Sequence, residues 1–230
     1  MKLRIAASLC LMLCLTGTAF AGQLAISETQ VHFGNMKEGP NAERTIRLTN
    51  VSDSEAVVSN VSTSCSCTTT SMDKTVLAPG ETSSMVITYH TFKFPGKFDK
   101  TVHVFSGSDG KTEDVIHILG YVDPIPMGVM EMDPRKVELG TLAAGRDNTV
   151  KLFVANTGDA PMKVSGVESQ KFHKVYWQGE EIVAPGQTAT LELTISPEKA
   201  GRFLDIVMVH SDARNDIGKG YKAVLLGKAE

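Results

Sequence analysis

The chain holds 230 residues, with 23 Lys and Arg against 26 Asp and Glu for a net charge of −3, and 42% of its residues are hydrophobic. No basic run or stripe is present, which excludes the electrostatic footprint of a nucleic-acid binder. That length and apolar fraction suit two domains of about 100 residues, not a disordered or disulfide-dense chain.

The first element is a targeting segment. Lys2 and Arg4 start a positive region, Ile5 to Leu15 is apolar, and Ala19-Phe20-Ala21 is a small-x-small cleavage signal. These features predict a cleaved signal peptide over residues 1–21, and its apolar run is too short to span a bilayer. Leu11-Met12-Leu13 before Cys14 lack the small residues of a lipidation signal. Cleavage of 21 residues from 230 leaves 209, and loss of two cations moves the net charge from −3 to −5. Cys10 and Cys14 leave as well, so the mature chain keeps only Cys65 and Cys67. No later stretch approaches a membrane span, and an exported product is expected, periplasmic or secreted.

The mature chain writes one module twice. Val31-His32-Phe33-Gly34 matches Val137-Glu138-Leu139-Gly140 at an offset of 106 residues. The same offset joins Gly39 to Gly145, Asn50 to Asn156, Val58 to Val164, and Ala78-Pro79-Gly80 to Ala184-Pro185-Gly186. The register then shifts by one through Gly96/Gly201, Phe98/Phe203, Val102/Val207 and Val104/Val209. Such self-similarity marks a repeated structural unit. Within each copy, Leu191, Leu193 and Ile195 alternate with polar residues, as do Met85, Ile87 and Tyr89. That two-residue period predicts half-buried strands separated by turns rich in Gly, Pro and Asn. The fold expected is all-β: two tandem immunoglobulin-like β-sandwiches at residues 22–122 and 129–230. Asp123-Pro124-Ile125-Pro126-Met127-Gly128 reads as a short proline-stiffened linker at 123–128.

Phe33-Gly34, Gly39, Asn50, Ser64-Cys65-Ser66-Cys67-Thr68, Ala78-Pro79-Gly80 and Gly96 resemble, in order and spacing, a bacterial exported family. It is catalogued as domain of unknown function 1573, and its usual signature is Ser-Cys-Gly-Cys-Thr. The resemblance covers roughly residues 30–105 and implies an Ig-like sandwich related to major sperm protein and Hydin-type domains. It implies no activity. Ser66 stands where the family has glycine, and Val51-Ser52 replace the Thr-Gly after the asparagine. Copy two looks like a diverged relative that keeps Asn156 to Pro161 but has Lys171-Phe172-His173 where copy one has Cys65-Ser66-Cys67.

The cysteine pair is the chemistry unique to copy one. On an extended strand, residues i and i+2 stand about 6.5–7 Å apart. A disulfide needs β-carbons about 3.5–4.5 Å apart, so only a tight turn or bulge would close the bridge. Two thiolates on one side would instead suit Cu(I), while a structural zinc site wants four ligands. Cys65 and Cys67 are therefore the candidate metal residues. Copper is the one cofactor in view, none being firmly implied, and Met72, His90 and His103 are conceivable further ligands. A bridged, purely structural pair is the competing reading.

No catalytic residue is expected. A Gly-x-Ser-x-Gly elbow, a phosphate loop, a Cys-x-x-Cys-His site and a His-Glu-x-x-His helix are all missing. The six histidines show no close ligand spacing. Phe98 has its counterpart in Phe203 and reads as core, whereas Phe92 and Phe94 have none and are candidate interaction residues. Tyr176-Trp177 read as packed side chains. The function expected is a non-enzymatic exported binding or scaffolding protein. Its partner would be an envelope or secreted protein, not nucleic acid. The alternative is a Cu(I)-binding or thiol-redox protein acting through Cys65 and Cys67.

Overall fold

Alternating side chains fix which face of a strand is buried, and the pattern is clearest in the strands at 82–89 and 188–195. Met85, Ile87 and Tyr89 are buried, and so are Leu191, Leu193 and Ile195, one repeat offset later. The computed structural model describes residues 24–107 and 111–230. The signal peptide read at residues 1–21 lies outside the described residues.

Every regular element described is a strand. In chain order they are β1 (Leu24–Ile26), β2 (Gln30–Lys37), β3 (Ala42–Asn50), β4 (Ala56–Thr63), β5 (Thr68–Met72) and β6 (Val76–Leu77). Next come β7 (Thr82–Tyr89), β8 (Gly96–Ser106), β9 (Thr112–Asp123), β10 (Met130–Glu131), β11 (Lys136–Leu142) and β12 (Asn148–Asn156). The last are β13 (Met162–Ser169), β14 (Val175–Val183), β15 (Thr188–Ile195), β16 (Gly201–Ser211) and β17 (Tyr221–Ala229). The first nine form a four-stranded sheet, β1-β3-β7-β5, and a five-stranded sheet, β2-β9-β8-β4-β6. The others repeat the scheme as β10-β12-β15 and β11-β17-β16-β13-β14. Two such layers burying their inner faces make an Ig-like sandwich.

The cores follow from that layering. Leu152, Val154, Leu191 and Leu193 from one sheet share a buried cluster with Val164, Val167, Val207 and Leu225 from the other. In the earlier strands, Phe33 of β2 meets Tyr89 of β7 with ring centroids 6.2 Å apart. Phe98 and Phe203 are both buried, as their shared register predicts.

Two repeated devices hold the turns. Asn50 and Asn156 are buried, and each Nδ2 donates to two carbonyls. For Asn50 these are Ser54 (2.7 Å) and Leu77 (2.9 Å); for Asn156, Ala160 (2.8 Å) and Val183 (2.8 Å). The Oδ1 atoms accept from Ser52 N at 2.9 Å and Gly158 N at 3.0 Å. Gly34 and Gly140 form the second device, with φ of 74° and 69°. The β11–β17 pairing shifts register across Gly140, between Glu138 and Thr141. A glycine bulge there bends the strand without a Cβ penalty.

By its contacts the chain divides into two compact units. One takes residues up to Phe33, Glu43–Tyr89 and Asp99–Leu119; the other takes Gly34–Ala42, His90–Phe98 and Gly120–Glu230. Within the second unit, residues 127–129 are tied to the β12–β13 turn. Met127 N donates to Asp159 Oδ1 (2.8 Å), Val129 N to Asn156 Oδ1 (3.0 Å), and Thr157 N to Val129 O (2.8 Å). Residues 127–129 are thus tied to that turn by backbone N–H groups donating to the Asp159 and Asn156 side chains and by a backbone–backbone bond.

Candidate functional site

Cys65 and Cys67 occupy the turn between β4 and β5, and they are joined as a disulfide with Cα atoms 5.1 Å apart. That is closer than two residues of extended strand allow, and a turn accounts for it. Thr68 N donates to Cys65 O at 3.1 Å, closing the reverse turn. Thr63 Oγ1 donates to the carbonyls of Cys65 and Thr68, both at 3.2 Å. Ser64 is tied to Thr101 of β8 in both directions: Ser64 N to Thr101 O at 3.0 Å and Thr101 N to Ser64 Oγ at 2.9 Å.

The two sulfurs differ in setting. Cys67 is fully buried, while Cys65 is half-buried and its Sγ accepts the Cys67 N–H at 3.0 Å. A thiol reductant would reach Cys65 first. The conceivable further ligands lie elsewhere in their bonding. His103 directs its ring nitrogens to Thr101 Oγ1 (2.8 Å) and Glu113 Oε1 (2.5 Å), and His90 Nδ1 faces Asn41 Oδ1 at 3.1 Å. Met72 pairs with Met85 at the far end of β5, about 13 Å of strand from the turn. Among the described residues, no group of three or more His, Cys, Asp or Glu side chains is arranged around a common point.

The loop carrying Phe92 and Phe94 falls in the second unit. Phe92 is 49% exposed and Phe94 half-buried. Phe92 lines a hollow of about 360 Å³ with Ile125, Pro126 and Met127; Ile125 is itself exposed. The anchor beneath this surface is Glu38, which the sequence did not mark. Its carboxylate is buried and accepts from Lys93 N (2.8 Å) and Ile125 N (3.0 Å), fixing the backbone on both sides of the hollow. Arg214 Nη1 donates to both carboxylate oxygens at 2.8 Å. Burial pushes the Glu38 carboxyl up, but the Arg214 guanidinium and the two backbone N–H groups outweigh it and hold it below its usual value. Lys93 adopts a left-handed φ of 66° and donates its Nζ to Asp216 O at 2.6 Å. A non-glycine residue in that region is strained and persists where its surroundings hold it.

Tyr176 and Trp177 are packed as read. The Tyr176 hydroxyl donates to Asp205 Oδ2 at 2.8 Å, both residues being buried. Burial, then the Asp205 carboxylate, pushes the phenol well above its usual value.

Among the described residues, fold and turn chemistry together define an all-strand tandem of Ig-like modules with a disulfide turn on the first. Residues 24–122 match the family described as Protein of unknown function (DUF1573), the family the sequence resembles. Residues 128–218 match the HYDIN/CFA65/VesB-like, Ig-like domain. No curated protein matches the chain. Among solved structures, the chain is similar to a protein of unknown function from Porphyromonas gingivalis W83. Identity is 18% over 91% of this chain and 100% of that one, with a TM-score of 0.36. It is also similar to the Vibrio cholerae VesB protease, at 15% identity over 43% of this chain and 32% of that chain, TM-score 0.35. A third is the E. coli chaperone DraB, at 12% identity over 90% and 96%, TM-score 0.34.

Proposed function

We propose that this protein is a non-enzymatic, exported binding or scaffolding module. One observation carries the reading: Phe92 and Ile125 stand exposed around one hollow, on backbone pinned by the buried Glu38–Arg214 pair. Apolar side chains held rigidly in solvent are how interaction surfaces look. The partner is an envelope or secreted protein, contacting the Phe92 surface, with Phe94 supporting it from its half-buried position, or the Ser64 to Thr70 turn. A photocrosslinking residue in place of Phe92, in the native envelope, tests this. One discrete adduct, absent when the probe replaces Phe153, is the expected result. No adduct from either the Phe92 probe or a Ser66 probe would sink the reading.

A second reading rests on a different observation, a disulfide joining residues two apart in a partly exposed turn. Two-electron reduction would give a Cys65/Cys67 dithiol for thiol exchange or Cu(I) capture. Titration of the reduced protein with Cu(I) against a competing chelator, beside the Cys65→Ser/Cys67→Ser variant, separates the two uses. Cysteine-dependent binding supports copper. Equal, weak binding by both proteins leaves thiol exchange, which a redox titration against glutathione then measures.

A further inference from the structure

The second module carries a differently built site at the equivalent end. Its β13–β14 turn holds Lys171-Phe172-His173, the residues in register with Cys65-Ser66-Cys67. Between this turn and the β15–β16 loop lies a cavity of about 390 Å³, within the size range of small-molecule sites. Tyr176 and Phe203, both buried, form part of its wall. Phe172 is 41% exposed and stacks on Phe203, with centroids 5.9 Å apart and planes at 21°. The wall therefore carries a stacked pair of aromatic rings.

The charge of the lining is as specific as its shape. Lys171, Lys174, Lys199 and Arg202 line the cavity, and the acidic residue among its lining, Glu198, already pairs with Lys174 at 3.0 Å. Four cations against that one acid, which Lys199 also neighbours, leave the lining three charges positive, in a chain whose net charge is −3. Lys171 lies over the Phe172 ring with its Nζ 4.9 Å from the centroid, and donates to Leu204 O at 3.3 Å. An anion is favoured here by field alone, and guanidinium pairs well with a planar carboxylate.

We infer that this cavity binds a small aromatic carboxylate, its ring against Phe172 and its carboxylate toward Lys199 and Arg202. The inference is independent of the Phe92 surface and of the Cys65–Cys67 turn, so it stands or falls separately from the proposed function.

Calorimetry on the mature protein with indole-3-acetate, and with uncharged indole-3-acetamide, tests it. The acid is expected to bind at least about tenfold more tightly than the amide, with affinity falling as salt is raised. Phe172→Ala and Arg202→Glu should each weaken acid binding by about tenfold or more. Arg202 is exposed, so thermal unfolding of Arg202→Glu should be unchanged, which separates lost binding from lost fold; Phe172→Ala also loses its stack on Phe203 and should unfold at a slightly lower temperature. Equal binding of acid and amide, no binding of either, or full affinity in both variants would overturn the proposal. Acetate binding as tightly as indole-3-acetate would overturn the aromatic part of it.

Discussion

At the scale of single residues, Asn50 and Asn156 do the same work in two places. Each is buried, donates twice and accepts from the turn that follows it. An asparagine at this point satisfies carbonyls that would otherwise be buried without a donor, and such groups cost about 1–3 kcal/mol each when orphaned. Asn156→Ala is therefore expected to lower unfolding free energy by about 2–4 kcal/mol, read as a shift in the urea midpoint. Tyr176 poses a narrower question, because its hydroxyl donates to the buried Asp205 Oδ2, and among the described residues Asp205 Oδ1 has no hydrogen-bond partner. Tyr176→Phe should cost about 1–3 kcal/mol despite the near-identical shape. A measured loss under about 0.5 kcal/mol would show that the carboxylate is solvated some other way.

Among the elements, the β4–β5 turn and the β12–β13 turn are held by opposite means. The first is closed covalently, yet the bridge spans only three residues. By chain entropy a loop that short contributes only about 1–2 kcal/mol. Cys65→Ser/Cys67→Ser is thus expected to remain folded with a modestly lowered melting temperature. Loss of the fold by circular dichroism would make the bridge structural after all. The second turn is closed by backbone contact, and a Cβ on Gly158 would lie 2.2 Å from Met127 O. Backbone cannot yield cheaply at that distance, so Gly158→Ala should destabilise by about 2 kcal/mol or more. The same contact explains why this Asn-Thr-Gly turn keeps its glycine, a reason the repeat pattern alone does not supply. Gly120 and Gly227 make a similar point. Each lies against the carbonyl of a positive-φ glycine, Gly34 or Gly140, where a Cβ would sit 3.0 or 2.9 Å away.

For the molecule as a whole, the acid limb of its stability should report Glu38. Its carboxyl is held below the ordinary value of 4.5 in the folded protein. The unfolded chain then takes up a proton at higher pH than the folded chain does. The contribution is present in full above the unfolded value and is lost as pH falls through the folded one. Urea midpoints measured from roughly pH 6 down to pH 3 should decline, and the decline should be shallower in Glu38→Gln. At neutral pH that variant is expected to lose about 2–3 kcal/mol, since it leaves Arg214 facing a neutral, differently shaped partner in a largely buried place. An unchanged acid limb would assign the effect to other carboxylates.

Much of this architecture was legible along the chain. Alternating apolar residues, the turn glycines and the 106-residue register determined strand content, the doubled module and the inward faces, because those depend on local period and on backbone conformations few residues tolerate. The register also located the two copy-specific turns, Cys65-Ser66-Cys67 and Lys171-Phe172-His173. It did not reveal what surrounds them. Glu38 meets Arg214 across 176 positions of sequence, and Tyr176 meets Asp205 across 29, so neither pair leaves a spacing to read. The cysteine bridge likewise depended on the chain turning between residues 65 and 68, and the cationic cavity on two distant loops converging. Periodicity records which side of a strand faces inward; only the closed sandwich decides which side chains meet there and what charge they leave exposed.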